Sequence, residues 1–114
     1  MKLKHEQIQY IEFLSSNLTA IKEFYTKAFG WKFTDYGPEY TGFEGEFVDG
    51  GFALGEVVKG SILVILYSKN LEETKSKVEV AAGKITKDIF SFPGGRRFHF
   101  ADPDGNELAV WSDV

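Results

Sequence analysis

Two stretches of the chain pass from a short apolar run to apolar residues at helical spacing. In the first, residues 8–13 carry Ile8, Ile11 and Phe13 and are typical of a strand. Asn17 follows this run and is a favoured residue at a helix N-cap. The apolar residues that recur behind it at helical spacing are Leu18, Ile21, Phe24, Tyr25, Ala28 and Phe29. The pattern predicts a strand and then a helix that ends at Gly30.

The same order returns in the second half of the chain. Residues 62–67 predict another strand, Asn70 another N-cap, and Glu73 occupies the acidic position of a capping box. The helical stripe behind the cap comprises Leu71, Thr74, Val78 and Ala81. We expect this helix to end at Gly83, which is as far from its cap as the first glycine is from the first cap.

Each half continues with three strand-like segments. They are residues 31–36, 40–44 and 51–56 in the first half and 84–92, 96–101 and 106–112 in the second. An Asp-Gly turn, at Asp49 and at Asp104, precedes the last segment of each half. The sequence therefore predicts an α+β fold of two βαβββ units, at about 6–57 and 60–113, within a single domain over residues 1–114.

Composition narrows the classes of protein that this chain can be. It has 114 residues, 43% of them hydrophobic and 26% charged, with a formal net charge of −4. A negative chain without a basic stripe disfavours nucleic acid as a partner, and no apolar run is long enough to span a membrane. The sequence contains no cysteine, which excludes disulfides and thiolate chemistry and predicts a cytoplasmic protein. The 11 Phe, 5 Tyr and 2 Trp indicate an aromatic pocket, an interface or a Phe-rich core.

Three segments carry a resemblance to a known family. Residues 8–13, 23–31 and 100–108, the last reading FADPDGNEL, resemble the vicinal oxygen chelate superfamily of glyoxalases, bleomycin resistance proteins and ring-cleaving dioxygenases. The resemblance covers about residues 7–112. It implies paired βαβββ units whose curved mixed sheet surrounds a cleft, a small-molecule ligand or substrate, and a homodimer that completes the site.

The resemblance also implies where a divalent metal would be held. Its ligand positions on the first strand of each unit fall on Tyr10 and Leu63, and those on the last strand fall on Leu54 and Ala109. A phenol and three hydrocarbon side chains cannot replace the water ligands of a divalent ion. We therefore predict that the usual metal site is absent and that no cofactor is bound. The alternative is a divalent metal held elsewhere, by Glu12, His99 and Glu107.

Alternation along the strands selects the side chains that face the cleft. Tyr10 and Glu12 share one face of the first strand, and Glu107 and Trp111 share one face of the last. In a concave site, Glu12 is a candidate general acid or base. The alternative readings of Glu12 are an ion pair with Arg97 and an exposed edge position.

The strand before the last one carries the two other polar candidates. Phe98 and Phe100 are expected in the core, which leaves Arg97 and His99 toward the cleft. His99 would exchange protons near neutral pH or bind an acidic ligand beside Arg97, and the alternative is a histidine hydrogen-bonded on the sheet surface.

Aromatic and acidic residues complete the candidate site. Tyr67 and Trp111 are expected to form an aromatic wall, which suits either a flat organic ligand or a dimer contact. Asp102 and Asp104 surround a proline and precede Gly105, a composition that turn formation alone explains.

Three functions fit the sequence. The first is a metal-free binder of a small organic ligand, with Tyr10, Tyr67, Arg97, Glu107 and Trp111 lining the cleft of a homodimer. The second is a glyoxalase-like lyase or isomerase, or a dioxygenase-type enzyme, that is either metal-dependent or uses Glu12 and His99 for proton transfer. The third is an interaction module whose cleft is filled by its own side chains. The first is favoured because the loss of metal ligands removes the usual catalyst and leaves the pocket.

Overall fold

The computed structural model describes residues 5–6, 8–60 and 62–114, which form two four-stranded sheets and two helices. The elements of the first unit are β1 (Tyr10–Ser15), α1 (Leu18–Phe29), β2 (Phe33–Asp35), β3 (Tyr40–Phe43) and β4 (Asp49–Leu54). Those of the second unit are β5 (Val64–Tyr67), α2 (Leu71–Val80), β6 (Lys84–Phe92), β7 (Gly95–Ala101) and β8 (Glu107–Ser112). This is the predicted α+β fold of two βαβββ units.

The two sheets have the same topology. The strand order is β1-β4-β3-β2 in the first and β5-β8-β7-β6 in the second, and in each the first strand runs parallel to the last. The other pairings are antiparallel, so both sheets are mixed. The first strand of each unit, β1 or β5, is therefore an edge strand of its sheet. Among the described residues, no helix is long and apolar enough to cross a membrane.

Both helices begin at the predicted caps. The Asn17 side chain accepts a hydrogen bond from the Ala20 N–H at 3.1 Å, and the Asn70 side chain accepts one from the Glu73 N–H at 3.2 Å. The capping box at α2 is only half formed, because the Asn70 N–H donates to Ser68 Oγ at 3.0 Å and not to the Glu73 side chain.

The two helix ends differ, although a glycine was expected to end both. Gly30 adopts a left-handed conformation with φ of +75° and donates to Thr26 O at 2.8 Å, as a C-terminal glycine should. The second helix already ends at Val80, and Ala82, with φ of +72°, takes the left-handed position. The expectation for Gly83 was therefore wrong. Gly83 is needed for space, since a Cβ there would lie 2.6 Å from Val78 Cγ1 and 2.8 Å from Phe24 Cε1.

The core lies between the helices and one face of each sheet. Tyr25 on α1 packs on Phe52 of the first sheet with a ring-centroid separation of 5.4 Å, and Phe24 packs on Phe100 of the second at 6.0 Å. One helix therefore contributes to the hydrophobic contacts of both units. The fully buried side chains of the core also include Ile21, Leu71, Val78, Phe98, Leu108 and Val110. Most of the Phe residues lie in this core or pack against it. A Phe-rich core was one of the three explanations that the composition allowed.

The turn before β8 joins the second unit to the first. Asp104 accepts hydrogen bonds from the Ser15 hydroxyl at 2.6 Å, from the Ser16 N–H at 2.9 Å and from the Ser16 hydroxyl. Asp102 is buried and accepts from the Tyr25 hydroxyl at 3.1 Å and from the Asn106 N–H at 2.9 Å. These two carboxylates are thus fully engaged in the turn and in contacts between the units.

Candidate functional site

The face of the first sheet opposite the helices carries the first candidate residues. Tyr10 and Glu12 are exposed there, whereas Ile11 and Phe13 are half-buried on the helix side, where Phe13 stacks on Phe52 at 4.9 Å. The predicted alternation of β1 is therefore confirmed. We call this side of the two sheets the open face.

Tyr10 and Glu12 are linked through a third residue, Tyr40 on β3. The Tyr40 hydroxyl donates to Glu12 Oε1 at 2.9 Å, and the Tyr10 and Tyr40 oxygens are 2.6 Å apart. Because the single hydroxyl proton of Tyr40 is directed to Glu12, Tyr10 donates to Tyr40. The chain of hydrogen bonds runs from Tyr10 to Tyr40 to Glu12 and leaves the Tyr10 oxygen able to accept.

Gly51 on β4 provides the space in which the two phenols meet. It lies opposite Glu12 in the register of β1 and β4. A Cβ at Gly51 would overlap the Tyr40 hydroxyl and lie 2.7 Å from the Tyr10 hydroxyl. Burial, followed by the hydrogen bonds with Tyr10 and Glu12, raises the pKa of Tyr40 well above its ordinary value. Tyr40 therefore remains a proton donor throughout the physiological range.

The register corrects one of the four positions at which the resemblance would place metal ligands. Ala109 pairs with Ile65, which corresponds in the second unit to Glu12, and Glu12 itself pairs with Gly51. Gly51 is therefore the counterpart of Ala109, whereas Leu54 pairs with Ser15 at the end of the strand and was wrongly assigned. The turn alignment failed because Asp49 and Gly50, which were predicted to form a turn, are already the first residues of β4, whereas Asp104 and Gly105 precede β8.

The side chains at these positions offer few donors. They comprise one phenol, a glycine without a side chain, and hydrocarbons, whereas a divalent ion requires several oxygen or nitrogen ligands. Within residues 5–6, 8–60 and 62–114, no group of three or more His, Asp or Glu side chains is placed to hold a metal ion.

The open face of the second sheet carries His99 and Glu107. His99 Nδ1 lies 3.2 Å from Glu107 Oε2, and the Thr86 hydroxyl donates to the same oxygen at 2.9 Å. Since an ionised carboxylate only accepts, the Nδ1 atom carries a proton. Only 9% of the surface of His99 is exposed, and its Nε2 atom is buried without a partner among the described residues.

Arg97 and the aromatic wall lie further along the same face. Arg97 pairs in register with Trp111, and Trp111 contacts Tyr67 edge to face at 5.2 Å. The Arg97 guanidinium lies 5.4 Å from the ring centre of Phe90 and 5.5 Å from that of Phe92. Trp111 and Tyr67 thus form the predicted wall, with a cation beside it.

The two halves of the site meet at a cavity between the units. Its volume is about 140 Å³, and Glu12 and Glu107 both line it, together with Val58 and Ile62 of the segment that joins the units. Within the described chain, no ion pair forms between Glu12 and Arg97 or between Glu12 and His99. The structure therefore groups Glu12 with the phenols and His99 with Glu107.

Three contributors to the site were not predicted. Tyr40, Thr86 and Phe90 lie on segments that were predicted as strands but whose faces and cross-strand register were not assigned. The alternation of β3 gives Tyr40 and Gly42 a common face, which would have marked Tyr40 as a neighbour of the cleft residues once β3 was paired with β4.

The fold and the site define a class of protein with two βαβββ units and an open, aromatic and charged sheet face. The model of the Glyoxalase/Bleomycin resistance protein/Dioxygenase superfamily matches residues 7–110, and the chain belongs to this superfamily. No curated protein matches the sequence significantly.

Solved structures share the fold. A glyoxalase-related enzyme from Fulvimarina pelagi is 21% identical, with a TM-score of 0.82 over 94% of this chain and 88% of that one. A lactoylglutathione lyase from Agrobacterium tumefaciens is 17% identical, with a TM-score of 0.77 over 94% and 93%. The antibiotic binding protein TnmS3 from Streptomyces sp. CB03234 is 17% identical, with a TM-score of 0.73 over 100% and 99%. At such low identities the likeness shows the fold alone.

Proposed function

We propose that this protein is a metal-free binder of a small organic molecule, which it takes on the open face of a homodimer in the cytoplasm. Its superfamily includes proteins with names as different as a lyase and an antibiotic binding protein, so membership by itself does not select a function. The choice rests on the residues of the open face.

The observation that carries the proposal is the phenol pair over Gly51. At the place where the resemblance implies a metal ligand, the Tyr10 and Tyr40 hydroxyls occupy the space that a side chain at Gly51 would need. The donor set around it is one carboxylate and two neutral phenols, which suits hydrogen bonding to an organic ligand better than it suits a divalent ion.

The exposed apolar side chains support a dimer. Ile62, Ile65 and Tyr67 are 78%, 46% and 56% exposed, and they belong to or adjoin the open edge strand β5. Apolar surface of this kind is commonly covered in an assembly. We expect sedimentation equilibrium to give twice the mass of the chain, and a monomer at all concentrations would remove this part of the proposal.

Metal analysis tests the first half of the proposal. We expect purified protein to contain no stoichiometric metal, and calorimetric titration with Mn²⁺, Ni²⁺, Zn²⁺ and Fe²⁺ to give no saturable heat. A tightly bound, stoichiometric ion that survives dialysis would overturn the metal-free reading.

A ligand screen tests the second half. Flat organic molecules are added to the protein, and binding is followed by tryptophan fluorescence and by thermal stabilisation. For a ligand found in this way, Tyr10→Phe should weaken binding about fivefold, the value of one lost hydrogen bond, because the Tyr10 oxygen is the one left able to accept. Tyr36→Phe is the matched control, because the Tyr36 ring lies near Tyr40 but its hydroxyl bonds to none of the described residues. Equal effects of the two substitutions would contradict the assignment.

A second candidate function is proton-transfer catalysis without a metal. It is favoured by the contact of His99 with Glu107, which orients an imidazole on the open face. If the screened ligand is turned over, Glu12→Gln and His99→Gln should each reduce kcat at least tenfold. Full turnover by both variants would eliminate this candidate.

A further inference from the structure

Two cationic side chains and a histidine converge on the ring of Phe90, on the open face of the second sheet. Lys87 Nζ lies 4.5 Å from the ring centre, the Arg97 guanidinium lies 5.4 Å from it, and the His99 ring centre lies 6.0 Å away. Like charges that share one aromatic ring repel each other, and the ring compensates only in part. We call Lys87, Arg97 and His99 the basic cluster. A bound anion would reduce the repulsion between the two positive charges of this cluster.

The described chain supplies no anion to the two cations. None of its carboxylates lies within 4.0 Å of Lys87 or Arg97, although the chain as a whole is negatively charged. The six positions outside the described residues are Met1, Lys2, Leu3, Lys4, Gln7 and Ser61, none of which carries a carboxylate. A carboxylate that contacts Lys87 or Arg97 must therefore come from outside the described chain.

Glu107, the nearest acid on this face, is already engaged. Its Oε2 atom accepts from His99 Nδ1 and from Thr86. Its backbone pairs with Ala101, so that its Cα lies roughly 13 Å along the strand direction from Arg97. Glu107 thus orients the histidine and does not neutralise the arginine.

Two nitrogen atoms of the basic cluster are buried without a hydrogen-bond partner among the described residues. They are Arg97 Nε and His99 Nε2, and both residues lie on the same face of β7. Buried polar atoms are rarely left unpaired in folded proteins. The Arg97 guanidinium lies 5.4 Å and 5.5 Å from the ring centres of Phe90 and Phe92. A guanidinium on an aromatic ring keeps its in-plane N–H groups for hydrogen bonds such as those to a carboxylate.

We propose that Lys87 and Arg97 bind the carboxylate of a planar aromatic acid, with its ring against Trp111 and Tyr67. Trp111 pairs directly with Arg97 and contacts Tyr67, so an aromatic surface adjoins the cationic one. The inference rests on the proposed function, since it names the chemical class of the ligand that the open face takes.

Benzoate and benzamide are the probes, because they have the same shape and differ in charge. We expect benzoate to bind to the intact protein at millimolar concentration or below, and benzamide to bind at least tenfold more weakly. Binding is measured by calorimetry and by the transfer of ligand signals in NMR. Moderate salt should weaken benzoate binding and leave benzamide unchanged.

Two substitutions and a matched control locate the site. Arg97→Gln and Lys87→Gln should each reduce benzoate affinity about tenfold. Arg96→Gln removes the same charge from the neighbouring position of β7, where Arg96 pairs with Glu72 at 2.6 Å on the helix side, and should leave affinity within a factor of two. Equal losses in all three variants would show a general charge effect and overturn the proposal.

The outcomes separate this inference from the proposed function. Equal binding of benzoate and benzamide would overturn the anion site and retain a metal-free aromatic binder. A stoichiometric metal with benzoate still dependent on Arg97 would overturn the metal-free function and retain the anion site. Absence of benzoate binding at millimolar concentration would overturn the anion site, whatever else the screen finds.

Discussion

The Asp104 carboxylate accepts a 2.6 Å hydrogen bond from the Ser15 hydroxyl, which lies 89 positions earlier in the chain. Ser15 is fully buried, and the same carboxylate accepts from the N–H group and the hydroxyl of Ser16. The acidic turn before the last strand therefore holds the end of β1, the strand that carries Tyr10 and Glu12. The carboxylate has a structural role that local turn formation alone does not explain.

Removal of this carboxylate should weaken the contact between the units. Asp104→Ala leaves the proton of the buried Ser15 hydroxyl without its acceptor and should lower the free energy of unfolding by about 2 kcal/mol. Urea unfolding measures the change. Glu46→Ala, in an exposed loop, removes the same charge and should change stability by less than about 0.5 kcal/mol. Similar losses for the two variants would contradict a specific role of Asp104.

The buried Asp102 carboxyl predicts a dependence of stability on pH. Burial raises its pKa above the ordinary value of 3.8, although hydrogen bonds from Asn106, Tyr25 and Asp104 act in the opposite direction. A carboxyl whose pKa is higher in the folded state stabilises the fold while it is protonated, and this contribution is lost as the pH rises through the folded-state pKa.

Asp102→Asn tests this sign, since an amide does not titrate. The free energy of unfolding of the parent, relative to that of the variant, should decrease as the pH rises from 3.8 toward neutrality. A series of urea unfolding curves over this range gives the difference. A relative stability that increases with pH would show that the hydrogen bonds outweigh burial.

The hydrogen-bond chain over Gly51 predicts how Tyr40 titrates. Glu12→Gln removes the negative charge next to the Tyr40 oxygen and should lower the pKa of Tyr40 toward its ordinary value. The absorbance of tyrosinate during alkaline titration, compared with that of Tyr40→Phe, isolates this group. Glu44→Gln serves as the control with an exposed carboxylate. An unchanged Tyr40 titration in Glu12→Gln would refute the chain.

Gly51→Ala tests whether the phenols need the space that the glycine leaves. The new Cβ overlaps the Tyr40 hydroxyl, so both phenols must move, at a cost of about 1 to 3 kcal/mol in unfolding free energy. The pKa of Tyr40 should fall in the same variant. Gly55→Ala, whose Cβ meets only the flexible end of Leu14 at 3.2 Å, should cost less than about 1 kcal/mol.

The two glycines that follow the helices should respond differently to substitution. Gly30→Asn should be tolerated within about 1 kcal/mol, because asparagine accepts the left-handed conformation and a Cβ there has no neighbour within 4 Å. Gly83→Asn should cost at least about 2 kcal/mol, because its side chain collides with Val78 and Phe24. Thermal unfolding of the two variants checks the order. Equal losses would show that the two glycines have the same role.

The sequence predicted the elements well wherever a short segment carries its own signal. Asn17 and Asn70 cap the helices through bonds to residues three positions ahead, and alternation alone placed Tyr10 with Glu12 and separated His99 from Phe98. The doubled βαβββ architecture followed from the repetition of these local signals, and the superfamily followed from the resemblance carried by residues 8–13, 23–31 and 100–108. Gly83 was misread because a helix end and a tight packing position favour the same residue.

The contacts that make the candidate site were not available from local signals. Tyr40 reaches Glu12 across 28 positions, Thr86 reaches Glu107 across 21, and Leu54 was assigned to a pairing that belongs to Gly51. Each of these contacts depends on strand register, because a shift of one residue would turn every side chain of the strand to the opposite face of the sheet.

The sequence by itself determined the order of strands and helices, the positions of the caps, and which side chains face away from the helices, because these depend on neighbours within one turn or one strand. The tertiary structure alone decided that two phenols meet over Gly51, that Asp104 holds Ser15, and that Lys87 and Arg97 share the ring of Phe90. Those contacts arise from register and from the packing of the units, which are set by the burial of the whole core.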